Sequence, residues 1–391
     1  MLTKKQALRR FRLAVSLFFF IQGVVFATWT NRIADLKTAL HLSDAALGNV
    51  LFAIPVGQML AMYVSAWLIN RFGSRRMLTL ASVLYPFCLL PPGLADTPYG
   101  LAAGLLFFGI SGNLFNIAAN TQGVNVEHLY ARSIMASFHG LWSLGGFLGG
   151  VLSMGFIALE VKPWLHFLVM GTVAFLLSGF IRRQLVRNDW HPRKAASTPS
   201  TTGQKPLPLS QRIDKYVILL GGMAFCAMVC EGCMYDWSGV YFQQVVHAPG
   251  KLVQLGFVIC LCTMTVGRFI ADHLVSRFGA RRVIRGSGLL ITFGLAVAVL
   301  LPNLWTASIG FFLIGFGISS TVPVCYSMAG RSQQMNPSTA LATVSSVSYL
   351  GLLLGPPVIG HLSQAITLHW TFAVIALFGL LIAAGASRLH E

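Results

Sequence analysis

The chain has 391 residues, of which 55% are hydrophobic and only 10% charged, and its mean hydropathy is +0.71. A soluble domain carries about 25% charged residues, so a water-soluble globule is excluded and a polytopic membrane protein is read instead. The net charge of +17 is spread over short polar segments. With no soluble basic domain to carry it, nucleic acid is a poor partner.

Twelve apolar spans are predicted, at 13–34, 45–69, 77–94, 98–125, 135–158, 164–182, 214–242, 252–275, 283–301, 304–329, 339–364 and 369–387. Each reaches the roughly 20 residues that cross hydrocarbon as a helix. Lys4, Lys5, Arg9, Arg10 and Arg12 precede the first span. That span is too long for a signal peptide and lacks a small-residue cleavage site, so it is kept. The turn Arg71-Phe72-Gly73-Ser74-Arg75-Arg76 joins spans two and three, and Arg132 follows span four. After span six, Arg183 to Arg212 is polar, basic and rich in Pro, Ser and Thr. It reads as a linker with little fixed structure, between a first half at 1–182 and a second at 213–391. The turn Arg277-Phe278-Gly279-Ala280-Arg281-Arg282 then joins spans eight and nine. All these cations lie on one side; Arg32, Lys37, Lys162 and Lys251 lie on the other, and Arg268 lies inside a span. The cation-rich side is cytoplasmic by the positive-inside rule, which puts both termini inside. The seven Cys all fall in apolar spans, so no disulfide framework is implied. Cys226, Cys230 and Cys233 share a face of span seven. Thiolates hold soft metals, but small apolar packing is the preferred reading and no metal site is expected.

The two basic turns differ only at Ser74 and Ala280. The same offset pairs Gly104 with Gly310, Gly109 with Gly315, Gly145 with Gly351, Gly149 with Gly355 and Trp164 with Trp370. The chain is therefore two tandem halves in one orientation, a parallel repeat whose site lies at the midplane between them. Six spans, a linker and six related spans, with the hairpin turn repeated, resemble the major facilitator superfamily over nearly the whole chain. The resemblance implies an all-α membrane protein, twelve helices in two pseudo-symmetric six-helix bundles. The family's turn motif runs G-x-x-x-D-R-x-G-R-R; here Asn70 and Ser276 stand at the acid position, with Asp272 a turn earlier. Arg71, Arg75, Asp272, Arg277 and Arg281 are the implied cytoplasmic gate, with Glu127 and Arg132 flanking a neighbouring turn. A finer likeness lies in Asn120-Thr121-Gln122-Gly123-Val124-Asn125-Val126-Glu127, Phe138-His139-Gly140-Leu141-Trp142-Ser143-Leu144-Gly145-Gly146, Glu231-Gly232-Cys233-Met234-Tyr235-Asp236-Trp237 and Leu354-Gly355-Pro356-Pro357. Together these resemble the fucose-permease-related branch of bacterial inner-membrane permeases. Gly355-Pro356-Pro357 is expected to bend span eleven.

Ionisable groups inside spans are costly and are functional candidates. Glu231 sits near the middle of span seven, with Asp236 further out. Burial favours the neutral carboxyl, so Glu231 leads as the group that takes up a proton and Asp236 is second; a structural acid is the alternative for each. Arg268 and Asp272 stand four apart, a spacing that shares a helix face, and a structural ion pair is expected. Asn113, Asn116 and Asn120 share a face of span four. Amides in lipid are expensive, so that face looks into a cavity, gripping solute hydroxyls, or glues helices together. Gln22, Trp29 and Asn31 in span one offer a similar mix. His139 and Trp142 lie three apart in span five; a proton shuttle and plain packing both fit the histidine. Aromatic faces stack on sugar rings while polar tips hydrogen-bond, which adds Tyr235, Trp237 and Tyr349 to the candidate solute contacts; packing is their alternative.

No phosphate-binding Gly-Lys-Ser loop, metalloprotease helix or nucleophile elbow is found, so an enzyme, a cofactor and ATP drive are not expected. The expected function is secondary transport of a small polar, sugar-like solute across a bacterial inner membrane, coupled to H⁺ with Na⁺ as the alternative ion. Membrane lipids are the expected surroundings and a monomer the expected state. Proton-driven efflux of drugs or apolar or cationic metabolites is the alternative, and a non-transporting membrane sensor the alternative of another class.

Overall fold

The computed structural model describes residues 4–130, 134–187, 189, 214–332, 335 and 337–389, without the side chains of 4, 5, 136, 272, 337 and 338. Among these residues the chain is helical, with no strand. Ten segments are long and apolar enough to cross a membrane. Crossing 1 is Lys4–Thr30. Crossing 2 is built from Asp44–Leu51 and Ala53–Phe72, and crossing 4 is Pro98–Tyr130. Crossings 5 and 6 are Met135–Ala158 and Pro163–Ile181. Crossings 7 to 10 are Lys215–Gln244, Leu255–Phe278, Ala280–Leu300 and Leu304–Ala329.

Two predicted spans hide in that count of ten. The third is broken into Ser74–Phe87 and Leu90–Gly93, because Pro86, Pro91 and Pro92 remove backbone donors where the helix needs them. The eleventh and twelfth share one 51-residue helical run, Pro337–Ser387, which turns at Thr367 (φ 72°, ψ 154°). Twelve crossings result, in two six-helix bundles. Through Pro356 and Pro357 the dihedrals stay helical; Thr367 is the one break in that run.

The repeat is visible in what its glycines do. Gly73 and Gly279 end crossings 2 and 8 at φ 86° and 82°, a region where a side chain is strained and glycine is not. A Cβ on Gly145 would strike the Phe20 carbonyl, and one on Gly351 the Phe225 carbonyl. Crossing 1 thus packs on 5 as 7 packs on 11. Gly109 against Ile54 and Gly315 against Cys260 do the same for crossings 4 on 2 and 10 on 8. The offset fails at Gly149 and Gly355: the first touches Val24, and the second meets nothing within 4 Å.

The described chain ends, Lys4 and Leu389, share one end of the molecule; at the other, the far end, the halves meet. There Gly48 lies against Pro356 and Gly360, and Gly360 against Asp44. Asp44 pairs with Lys37 at 2.8 Å and accepts from Ser363 of the other half. His361 meets Asn49 at 3.1 Å and Gln243 meets Thr38 at 3.3 Å. The far end is closed, with a shallow depression of about 650 Å³ over the seam, lined by Lys37, Asp44, His247 and Gln364 among others.

Most of the linker expected to lack fixed structure, 188 and 190–212, lies outside the described residues. Its first residues correct that expectation. Gln122 of crossing 4 bonds both the amide and the carbonyl of Val186, and Asp189 accepts from the Ser74 amide at 2.7 Å, the Ser74 hydroxyl and Asn125 Nδ2 at 2.8 Å. A carboxylate at a helix start is favoured by the free amides and the helix dipole there.

Candidate substrate cavity

A cavity of about 550 Å³ lies between the halves. From the first half it takes Gln22 and Phe26 of crossing 1, Asn113 and Asn116 of crossing 4, and His139 and Trp142 of crossing 5. From the second it takes Glu231 and Tyr235 of crossing 7, Arg268 of crossing 8 and Tyr349 of crossing 11. Asn116 and His139 are exposed, so with the far end sealed the cavity is reached from the end that bears the termini.

Helix period explains which residues of crossing 7 arrive. Positions three and four apart share a face, and Met228, Glu231 and Tyr235 all line the cavity. Glu231 Oε1 accepts from Tyr235 Oη at 2.5 Å and from Arg268 Nη2 at 2.9 Å. Arg268 Nη1 donates to Ser143 Oγ at 2.5 Å, across the seam on crossing 5. The Arg268 and Glu231 side chains are 21% and 10% exposed, so the pair sits in low dielectric, where losing one partner strands the other. On the opposite wall, Gln22 Oε1 and Asn113 Oδ1 are buried acceptors without a hydrogen-bond partner. A buried polar atom left unpaired is costly; both side chains line the cavity, and turning either acceptor toward it would let a solute donor satisfy it. Phe26, Trp142 and Tyr235 meet at centroid distances of 5.3 to 6.3 Å and give the cavity an aromatic wall. Tyr349 donates to Gln58 of crossing 2 at 3.0 Å.

A family model described as Major Facilitator Superfamily matches residues 13–331 and 253–389. The chain belongs to this superfamily. An uncharacterized MFS-type transporter of Yersinia pestis is 30% identical over 96% of this chain and 94% of its own. An uncharacterized transporter of Sinorhizobium fredii is 30% identical over 95% of this chain and 96% of its own. Among solved structures, the nucleoside transporter NupG superposes with a TM-score of 0.76 at 11% identity, over 97% of this chain and all of the other. A bacterial homologue of the lysosomal transporter Spinster, inward-facing and occupied, superposes with a TM-score of 0.71 at 18% identity, over 97% and 96%. These identities carry the fold alone.

Within this major facilitator transporter, several sequence candidates fall outside the cavity. Asp236 and Trp237 are five and six positions from Glu231, which turns them off its face. Trp237 is fully buried with its Nε1 unpartnered. Trp29 fills the first bundle between Phe108 and Phe167. Asn31 donates to the Ala27 carbonyl at the end of crossing 1. Asn120 bonds the carbonyl and side-chain oxygen of Asn116, holding a cavity residue from one turn away.

For Arg268, expected to pair with Asp272, the structure describes two other partners. Arg268 bonds Glu231 and Ser143; the side chain of Asp272 lies outside the described residues, as does Arg132. Among the other gate residues, Arg71 lies over the Trp67 and Phe72 rings at 5.3 and 5.6 Å, and Arg277 over Phe278 at 5.4 Å. Arg281 donates to the Ser387 carbonyl at 2.8 Å, and Arg75 is half-buried at the start of crossing 3. Glu127 accepts from the amides of Ile134 and Met135, capping crossing 5. These contacts fix corners within each half. Asp189, at the basic turn where Asn70 replaces the family acid, was not legible in the sequence, because it lies |i−j| 115 from Ser74 with no local pattern to mark it. Ser143 and Gln58 were also missed; the signal available was their polarity within apolar spans.

Proposed function

We propose that this transporter moves a small polar, sugar-like solute across a bacterial inner membrane together with a proton, by rocking of the 1–182 and 213–391 halves about the cavity. The reading rests on one observation: Glu231 faces the cavity at the seam, bonded to Arg268, opposite the unpartnered acceptors of Gln22 and Asn113. Proton uptake by Glu231 would release Arg268, and Arg268 holds Ser143 of the other half, so protonation acts on a contact between the halves. The amides suit hydroxyls and the aromatic wall suits a sugar ring. The fucose-permease-related likeness points the same way, and the positive-inside rule puts the open end and both termini in the cytoplasm. Efflux of cationic compounds fits less well, since the cavity carboxylate is occupied by Arg268. The test is solute accumulation in proteoliposomes driven by a pH gradient. Glu231→Gln is expected to abolish accumulation against a gradient while leaving downhill exchange. Full accumulation by the variant would refute the proton role.

A further inference from the structure

Arg268 is the one Lys or Arg among the described residues that line the cavity, and its counter-ion is the residue read above as the proton acceptor. A guanidinium stays charged at any physiological pH. Once Glu231 is neutral, Arg268 keeps its charge in a poorly solvated place without a carboxylate, an arrangement that is strongly disfavoured. The groups around the pair do not relieve it. Cys260 and His139 lie in its field from crossings 8 and 5; Tyr85, Tyr326 and Tyr349 line the cavity from crossings 3, 10 and 11. Among the described residues none of these is a carboxylate, and Asp236 is turned off the Glu231 face; the side chain of Asp272, four positions from Arg268, lies outside them and is addressed by the test below.

We infer that the solute is a hydroxylated carboxylate whose anionic group replaces Glu231 on Arg268 when Glu231 takes its proton, so that proton and anion cross together without net charge. The inference rests on the reading of Glu231 and of the cavity given above. It follows from the division of chemistry across the cavity. One wall offers a planar guanidinium fork, which matches a carboxylate with two parallel bonds. The other offers Gln22 Oε1 and Asn113 Oδ1, acceptors that suit hydroxyl donors. A neutral sugar would use the amides and leave the guanidinium stranded; a bare small anion would use the guanidinium and leave the amides stranded.

The test uses the purified full chain and two kinds of probe. Nitrate, planar and singly charged at all pH values used, stands in for the carboxylate. Nitrate is expected to raise the melting temperature of Glu231→Gln by about 3 °C or more, and to leave the Glu231→Gln/Arg268→Gln double variant at its starting value. Wild type, in which Glu231 competes for Arg268, is expected to respond less than Glu231→Gln. Gluconate is expected to stabilise Glu231→Gln at concentrations about tenfold lower than acetate, as one extra satisfied contact implies, and Gln22→Ala with Asn113→Ala to erase that difference. A nitrate response equal in Glu231→Gln and the double variant overturns the anion seat. A response that appears in Glu231→Gln only after Asp272→Asn is added also overturns it, because the protein's own aspartate then takes the guanidinium. Equal potency of gluconate and acetate overturns the hydroxylated part. The two readings fail separately: loss of gradient-driven accumulation in Glu231→Gln without an anion response leaves the proton role standing, and the converse result leaves the anion seat standing.

Discussion

Arg268 spends its two donor groups on different halves of the molecule, Glu231 at 2.9 Å in its own and Ser143 at 2.5 Å in the other. A lysine's three donors radiate from a single nitrogen, so it lacks the two-nitrogen fork with which Arg268 spans acceptors on both halves. Arg268→Lys should therefore keep the pairing with Glu231 and lose the bond across the seam. A charge-assisted bond is worth about 1.5 to 3 kcal/mol, which corresponds to a fall in initial uptake rate of about tenfold or more. Vesicle uptake at fixed pH reads this directly, and an unchanged rate would show that the seam bond is idle. The sequence pointed to Glu231 through its cost in hydrocarbon, and to Asn113, Asn116 and Trp142 through helix period. It offered Asp272 for Arg268, because a partner four positions away is a local pattern; Glu231 lies 37 positions away on another helix, where no local pattern marks it. Trp29 and Trp237 misled for the converse reason: their chemistry suits a sugar site, but only packing decides which face they serve.

At the scale of the helix, small residues set which pairs of crossings touch. Gly48 and Gly360 bring crossings 2 and 11 together backbone to backbone at the closed far end. A leucine at Gly48 has no place to go in that state and should favour the state in which the far end opens. Spin labels at Thr38 and Gln243, whose side chains now meet at 3.3 Å, should move apart in Gly48→Leu. Gly179→Leu is the control, since a Cβ there meets nothing within 4 Å. An unchanged label distance in Gly48→Leu would mean that the contact does not govern closure. The helices themselves were legible because hydropathy marks them and the glycine offset pairs them. The breaks at Pro86 and Thr367 differ in this respect: Thr367 falls in the gap between the spans read at 339–364 and 369–387, whereas Pro86 lies inside a span read as continuous at 77–94, although prolines there remove helix donors.

For the whole molecule, the two-bundle architecture followed from the repeat offset, and the direction of the open end from the closed seam alone. Two carboxylates bracket the passage from one bundle to the other. Asp189 is fastened to Ser74 and Asn125, and Asp214 caps Tyr216 and accepts from Ser332. Each anchor bonds residues of its own bundle, so assembly should depend on the mating surfaces rather than on the tether. Severing the gene at a codon between the anchors and expressing both pieces in one cell should restore uptake to near the intact level. Two inert fragments would mean that the bridge itself is part of the machine.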